Sequence, residues 1–241
     1  MSMAELFKKH PTLVVGCGGK VIKIFENQEK CEHEVNVLKR CQETDLANHF
    51  DGSNLKLNGY SWSKDNLLVM DKAKGIALSK TGNSQIHGLK LLGKLVASRH
   101  SKIYNDPNKK NLKLGDFSIE HLFLCKTEKL ITYIDPGNSF CIEGDLLDDL
   151  SRLLFSISAR YRRQPFKANN LQTHFLASYY ENLNYQSGDL AKNLHCRYKA
   201  VKQKYQNSFN GLNQKSKLLS LFYQYLLTKI VVRKVKPFGK N

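Results

Sequence analysis

The last third of the sequence has almost no acidic residues. Residues 151–241 contain 17 Lys and Arg but only Glu181 and Asp189 as acids, a net charge of +15. Residues 1–150 contain 21 Lys and Arg and 19 acids, a net charge of +2. Such a one-sided charge favours phosphate-bearing partners, whether anionic lipid, a phosphorylated glycan or nucleic acid. It argues against a pocket for a cationic small molecule, which acidic side chains would have to line.

Long apolar runs and paired cysteines are also missing. Because no run of eighteen apolar residues occurs, we expect no membrane-spanning helix. Residues 1–9 carry charges with no apolar segment behind them, so a secretory signal is not expected either. None of the six cysteines forms a CxxC pair or has zinc-finger spacing. We therefore expect free thiols and a cytoplasmic protein.

The apolar pattern predicts a sheet-rich first part and a helical second part. Strands are expected on both sides of a glycine-rich turn in 12–25, and then at 55–62, 66–71, 122–125 and 130–134. Helices are expected at 29–41, 84–100, 146–157, 171–184, 189–208 and 214–233. This order predicts an α+β protein with a small antiparallel N-lobe at 1–74 and a mostly helical C-lobe at 75–241.

Four segments carry residues suited to phosphoryl transfer. That reaction needs a cation on the phosphates, carboxylates on magnesium and a carboxylate near the attacking hydroxyl. Lys23 lies between β-branched residues of a predicted strand. Glu34 lies on the helix that follows and could pair with Lys23, with Glu32 as a competing partner. Taken alone, each of these could be an ordinary solvated side chain.

Asp116 and Asp135 flank the predicted hairpin at 122–134. Asp116 lies five residues before His121, a side chain able to bind metal, and Asp135 ends an apolar strand and precedes Pro136. Either aspartate alone could be a turn residue. The antiparallel hairpin between them brings both to the same end of one ribbon. We therefore expect their carboxylates to converge on one point.

These segments resemble the catalytic loop and the metal-binding aspartate of the protein-kinase-like superfamily. Within it, the chain is most similar to the bacterial lipopolysaccharide kinases, the Kdo and core heptose kinase group, because core heptose kinases also carry histidine at the place of His121. The usual His-Gly-Asp or His-Arg-Asp reads Leu114-Gly115-Asp116 here, and Pro136 replaces the usual Phe or Leu. A full G-x-G-x-x-G loop is absent. The ordered matches cover about residues 12–155.

The resemblance implies roles for these residues. Lys23 would bind the ATP phosphates and Glu34 would orient it, while Asp116 would accept the proton of the acceptor hydroxyl or position that hydroxyl. His121 and Asp135 would hold Mg²⁺. The remaining nucleotide contacts would come from the hinge residues Met70, Asp71, Lys72 and Ala73, and from Gly18 and Gly19, for which a plain hairpin turn is the alternative.

The same resemblance implies a function and a helper residue. Asp149 resembles the buried aspartate that steadies the catalytic loop. The implied activity is ATP-dependent phosphorylation of a sugar hydroxyl in lipopolysaccharide core or a related glycan. The protein would be cytoplasmic, with possible peripheral contact at the inner membrane. The alternatives are a kinase of a small soluble acceptor and a non-catalytic, nucleic-acid-associated kinase-like protein, although no RNA-binding signature occurs.

Overall fold

The computed structural model describes residues 12–43, 55–57, 60–104, 113–135 and 143–184, together with Cys196. The strands are β1 Thr12–Cys17, β2 Lys20–Phe25, β3 Leu55–Leu57, β4 Tyr60–Lys64, β5 Leu67–Asp71, β6 Ile76–Ala77, β7 Leu122–Cys125 and β8 Leu130–Tyr133. The helices are α1 Gln28–Glu43, α2 Gln85–Tyr104, α3 Leu147–Arg160 and α4 Pro165–Glu181, with short 3₁₀ turns at Leu78–Lys80 and Gly82–Ser84.

The first sheet is antiparallel, with the strand order β1-β2-β5-β4. Gly18 and Gly19 connect β1 to β2 with φ angles of 52° and 81°. A two-residue turn with positive φ at both positions matches the twist of a hairpin, and glycine adopts that conformation without strain. The predicted hairpin at 12–25 and the strand at 66–71 are confirmed.

The second sheet has the order β3-β8-β7-β6, with β3 parallel to β8 and the other pairs antiparallel. The predicted hairpin at 122–134 is confirmed. A single strand over 55–62 was a wrong prediction, because Leu55–Leu57 joins this sheet while Tyr60–Lys64 pairs with β5. Since β3 comes from the predicted N-lobe segment and β8 from the C-lobe segment, this pairing ties the two together. The boundary at residue 74 stays a prediction.

Two clusters of buried side chains form the core. The smaller lies between the first sheet and α1 and consists of Phe25, Cys31, Val35, Leu38, Leu68 and Met70. The larger draws on α2, α3, α4 and the second sheet. Val37 of α1 belongs to this larger cluster. Helix α1 therefore packs on the first sheet and adds Val37 to the larger cluster.

The helices differ from prediction mainly at their ends. Helix α2 runs to Tyr104, and α4 begins at Pro165 rather than at residue 171. Proline suits the first turn of a helix, where its missing N–H leaves no bond unmade. The helices predicted at 189–208 and 214–233 lie outside the described residues, apart from Cys196. Within the described part of the chain, no helix combines the length and apolar character needed to cross a bilayer.

Candidate active site

Lys23 is the centre of the polar cluster that joins β2, α1 and the end of β8. Its side chain is only 9% exposed, and its Nζ lies 2.5 Å from Oε1 of Glu34. The same amine forms an ion pair with Oδ1 of Asp135. Burial alone would lower the pKa of Lys23, but the charges of Asp135 and Glu34 outweigh it and the pKa is raised. The lysine is therefore firmly cationic.

Helix α1 presents Glu34, not Glu32, to Lys23. Cys31 and Val35 are buried against the first sheet, so the adjacent Glu34 is held near β2. Glu32 is exposed and accepts a hydrogen bond from Nε2 of Gln28 at 2.6 Å. The alternative that the sequence left open is thus resolved in favour of Glu34.

The open end of the β7–β8 hairpin holds His121 and Asp135 side by side. The Ile134 N–H donates to the His121 carbonyl at 2.9 Å, which continues the ladder one step beyond the strands. Asp135 follows with a φ of 50°, a left-handed conformation that aspartate tolerates better than most residues. This backbone conformation directs the Asp135 carboxylate from the end of the second sheet toward Lys23.

Asp116 lies next to His121 at the same end of the hairpin. The His121 Nδ1 is 3.1 Å from the Asp116 carbonyl oxygen and 3.7 Å from its Oδ2. Because a carbonyl oxygen can only accept, Nδ1 carries a proton, and Nε2 is the ring nitrogen that a neutral His121 would offer to a metal. Side-chain contacts link Lys23 with Glu34 and Asp135, and Asp116 with His121, and the backbone hydrogen bond of Ile134 links the two sets. We call the five residues Asp116, His121, Asp135, Lys23 and Glu34 the Lys23 cluster. The convergence of the two aspartate carboxylates on one point stays a prediction.

Asp149 fixes the segment that carries Asp116. It is fully buried, and both of its carboxylate oxygens accept the Leu114 N–H at 2.9 Å. Nη1 of the buried Arg99 lies 3.7 Å from its Oδ2. The Tyr133 hydroxyl donates to the Leu114 carbonyl at 2.6 Å. The backbone at Leu114 is therefore held from both sides.

The pKa of Asp149 predicts a measurable pH dependence of folding. Burial raises this pKa to about 7, against the opposing pull of Arg99 and the Leu114 N–H. Since the folded state binds the proton more tightly than the unfolded chain, the contribution of Asp149 to stability should fall as pH rises from about 4 to about 7. Urea unfolding across that range should show this decline in the wild type relative to Asp149→Asn. If the free energy of unfolding changed with pH in the same way in both proteins, this prediction would be contradicted.

The hinge and turn residues form a separate group from the Lys23 cluster. Met70 is buried in the smaller core, and Asp71 pairs with Lys20 at 2.5 Å. The Lys72 N–H donates to the Gly19 carbonyl at 2.9 Å, which ties the Gly18–Gly19 turn to the segment after β5. At about 3.3 Å per residue, Gly19 lies about 13 Å along β2 from Lys23. The structure therefore places the Gly18–Gly19 turn beside Lys72 and not beside the lysine amine.

Comparison with known proteins identifies the fold. No protein-family model and no curated protein sequence matches the chain. Among solved structures, macrolide 2'-phosphotransferase MphH of Brachybacterium faecium aligns over 94% of this chain and 96% of its own, with 13% identity and a TM-score of 0.50. The chain has the protein-kinase-like fold.

Two further structures are similar at lower scores. Aminoglycoside 2'-phosphotransferase-IIIa, solved as a GDP complex, covers 95% of this chain and 97% of its own at 12% identity and a TM-score of 0.47. Aminoglycoside phosphotransferase APH(3'')-Id of Streptomyces rimosus covers 93% and 97% at 9% identity and a TM-score of 0.42. The predicted fold class is confirmed, while the lipopolysaccharide kinase group stays a prediction.

Asp135 and His121, the two residues predicted to hold Mg²⁺, offer one oxygen donor and one nitrogen donor. Asp135 pairs with Lys23 through Oδ1, which leaves Oδ2, and His121 offers Nε2. Across the described ranges, no group of three or more His, Cys, Asp and Glu side chains is arranged to hold a metal ion. Mg²⁺ that is shared with substrate phosphates needs only one or two protein ligands. Because Mg²⁺ prefers oxygen ligands, Asp135 fits such a metal better than His121 does, and both metal roles remain predictions.

The resemblance found in the sequence assigned no role to Arg152. This residue of α3 places Nη1 3.4 Å from Oδ1 of Asp116. It lies three positions after Asp149, so both side chains occupy one face of the helix. The three-residue spacing was the signal that the sequence offered. If Asp149 binds the backbone at Leu114, the side chain about one helical turn later lies near Asp116.

Proposed function

We propose that this chain is an ATP-dependent phosphotransferase that phosphorylates a sugar hydroxyl of lipopolysaccharide core or a related glycan. The observation that carries the proposal is the Lys23 amine held between Glu34 and Asp135. A fixed cation beside carboxylates supplies what phosphoryl transfer requires, since charge on the phosphates must be neutralised and the reactants aligned.

Each residue of the cluster then has a defined task. Lys23 binds the α- and β-phosphates, and Glu34 keeps its side chain extended. Asp116, which is half-exposed and can therefore meet a substrate, accepts the proton of the attacking hydroxyl. His121 and Asp135 would hold a Mg²⁺ ion, which would supply positive charge beside the transferring phosphoryl group.

The net charge supports the proposed class of acceptor. Residues 151–241 carry a net charge of +15, which favours an anionic glycan. Each basic residue close to an anionic leaflet contributes about 1 kcal/mol to binding there. We therefore propose a cytoplasmic enzyme that acts at the inner membrane surface, where such glycans are attached to lipid.

A soluble acceptor is the second candidate, because the macrolide phosphotransferase shares the fold. The scarcity of acids after residue 150 disfavours cationic drugs as acceptors. A non-catalytic, nucleic-acid-associated role is the third. It predicts no turnover of Mg-ATP.

The deciding experiment offers labelled Mg-ATP together with deacylated lipopolysaccharide core, streptomycin or RNA in separate reactions. We expect label on the core glycan only, and its loss in Asp116→Ala. Label on streptomycin without label on the glycan would overturn the proposed acceptor. RNA binding without any phosphate transfer would overturn the enzyme itself.

Replacing Lys23 by methionine should greatly weaken nucleotide binding. The substitution removes the phosphate-binding cation and leaves Glu34 and Asp135 facing each other without it. Lys30→Met is the matched control, because Lys30 of α1 forms an ion pair with Glu26 at the surface, and neither residue is among the predicted nucleotide contacts. Titration with Mg-ATP should show a loss of at least about tenfold for the first variant, the scale of one charge-assisted contact. Equal affinities in both variants would contradict the role of Lys23.

A further inference from the structure

Helix α3 holds the Asp116 segment along one of its faces. Its side chains at 148, 149, 152, 156 and 160 recur at helical spacing, and each contacts the next part of residues 113–120 in turn. The contacts are Asp148 with Lys113 at 3.7 Å, Asp149 with the Leu114 N–H at 2.9 Å, Arg152 with Asp116 at 3.4 Å, Ser156 Oγ with the Ile119 N–H at 3.0 Å, and Arg160 with Glu120 at 3.4 Å. We call these five contacts the α3 ladder.

One contact of the α3 ladder differs from the rest in what it touches. Arg152 meets the carboxylate of Asp116, whereas the other four meet backbone groups or side chains outside the Lys23 cluster. The Arg152 side chain is mostly buried, and its charge also acts on the buried Asp149 one turn earlier. Arg152 is therefore held between a structural carboxylate and the proposed catalytic one.

The two oxygens of Asp116 have different neighbours. Oδ1 faces Arg152 at 3.4 Å, and Oδ2 faces Nδ1 of His121 at 3.7 Å. Only the Arg152 contact is a hydrogen bond to the carboxylate, because Nδ1 of His121 is closer to the Asp116 carbonyl oxygen, at 3.1 Å. Each carboxylate oxygen has two lone pairs and can still accept a hydrogen bond from an acceptor hydroxyl.

We propose that Arg152 is a positioning residue that orients the Asp116 carboxylate toward the acceptor hydroxyl. The proposal rests on the proposed function and adds to it a residue outside the catalytic segment. Orientation of a general base acts on the chemical step, because a misplacement of about 1 Å can cost roughly 10²-fold in rate. We expect no effect on nucleotide binding, since Arg152 contacts Asp116 and acts on Asp149, and not on Lys23.

Arg160 provides the matched control. It lies two turns further along the same helix face and makes a contact of the same kind and length, 3.4 Å, with Glu120. If the α3 ladder serves only to hold the segment in place, Arg152→Gln and Arg160→Gln should have similar effects. If Arg152 orients Asp116, their effects on turnover should separate.

The test measures kcat and the KM for ATP from phosphate release and from transfer to deacylated core, together with thermal unfolding, for Arg152→Gln, Arg152→Lys and Arg160→Gln. We expect Arg152→Gln to lower kcat by about 10- to 100-fold with the KM for ATP unchanged. Arg152→Lys should recover part of the loss, because an ammonium keeps the charge but not the planar fork. Arg160→Gln should retain the wild-type kcat.

Several outcomes would overturn the inference. Equal kcat values for the two Gln variants, or a loss that follows a shared drop in melting temperature, would reduce Arg152 to one more structural contact. Wild-type turnover that survives unchanged in Arg152→Gln would remove the role of Arg152 and leave the proposed function intact. A wild-type protein that neither binds nor turns over Mg-ATP would overturn the proposed function and the role of Arg152 with it.

Discussion

Replacing Asp116 by asparagine is expected to reduce phosphate transfer by about 10²- to 10⁴-fold while leaving nucleotide affinity unchanged. The amide keeps the shape of the side chain but cannot take the proton of an acceptor hydroxyl. Nucleotide binding is ascribed to Lys23 and Asp135, which the substitution leaves in place. Transfer of labelled phosphate to deacylated core and equilibrium binding of Mg-ATP measure the two effects separately.

Glu120→Gln is the control for this substitution. Glu120 lies on the same segment, is exposed, and pairs with Arg160 at 3.4 Å. Its replacement makes the same chemical change without touching the Lys23 cluster, so transfer should stay near the wild-type rate. Wild-type transfer by Asp116→Asn would eliminate Asp116 as the base. Equal losses in both variants would assign the effect to the fold of the segment.

The position of the two aspartates at one end of the hairpin could be predicted because it depends on local pattern. The apolar runs of β7 and β8 are separated by a short charged turn, and such spacing allows only an antiparallel hairpin. Once the hairpin is given, Asp116 and Asp135 must lie at the same end. The pairing of Glu34 with Lys23 was accessible in the same way, as one of two candidates on a helix that follows the lysine strand.

Other features could not be predicted, because they depend on contacts between distant parts of the chain. The three residues of β3 pair in parallel with β8, and so short a strand has no pattern that names its partner. Arg152 reaches Asp116 only because α3 packs along residues 113–120. The start of α4 was predicted at residue 171 for a local reason. The prediction rested on the apolar pattern and did not use Pro165, a residue typical of the first turn of a helix.

The leucine at position 114 gains a physical explanation from the structure. Its side chain is buried in the larger core, and its backbone is held by Asp149 on one side and Tyr133 on the other. Gly115 follows with a φ of 82°, which glycine adopts without strain. The segment is thus anchored through its backbone, and the position of Asp116 needs no histidine or arginine at position 114.

This anchoring makes Asp149→Ala the substitution with the largest expected effect on stability. Removing the carboxylate leaves the Arg99 guanidinium, which is 0% exposed, without its Asp149 contact, and it leaves the Leu114 N–H without an acceptor. Breaking a buried ion pair in this way costs about 3–5 kcal/mol. Urea unfolding should show a loss of that size.

Asp148→Ala is the matched control, because Asp148 is the preceding residue of α3 and pairs with Lys113 at 3.7 Å in a partly exposed position. A pair of that kind contributes about 0–1 kcal/mol, so the control should unfold near the wild-type midpoint. Asp149→Asn, which can still accept one hydrogen bond from Leu114, should lie between the two. If Asp149→Ala unfolds together with Asp148→Ala, the buried carboxylate does not anchor the segment. The orientation of Asp116 would then have to come from Arg152 and His121 alone.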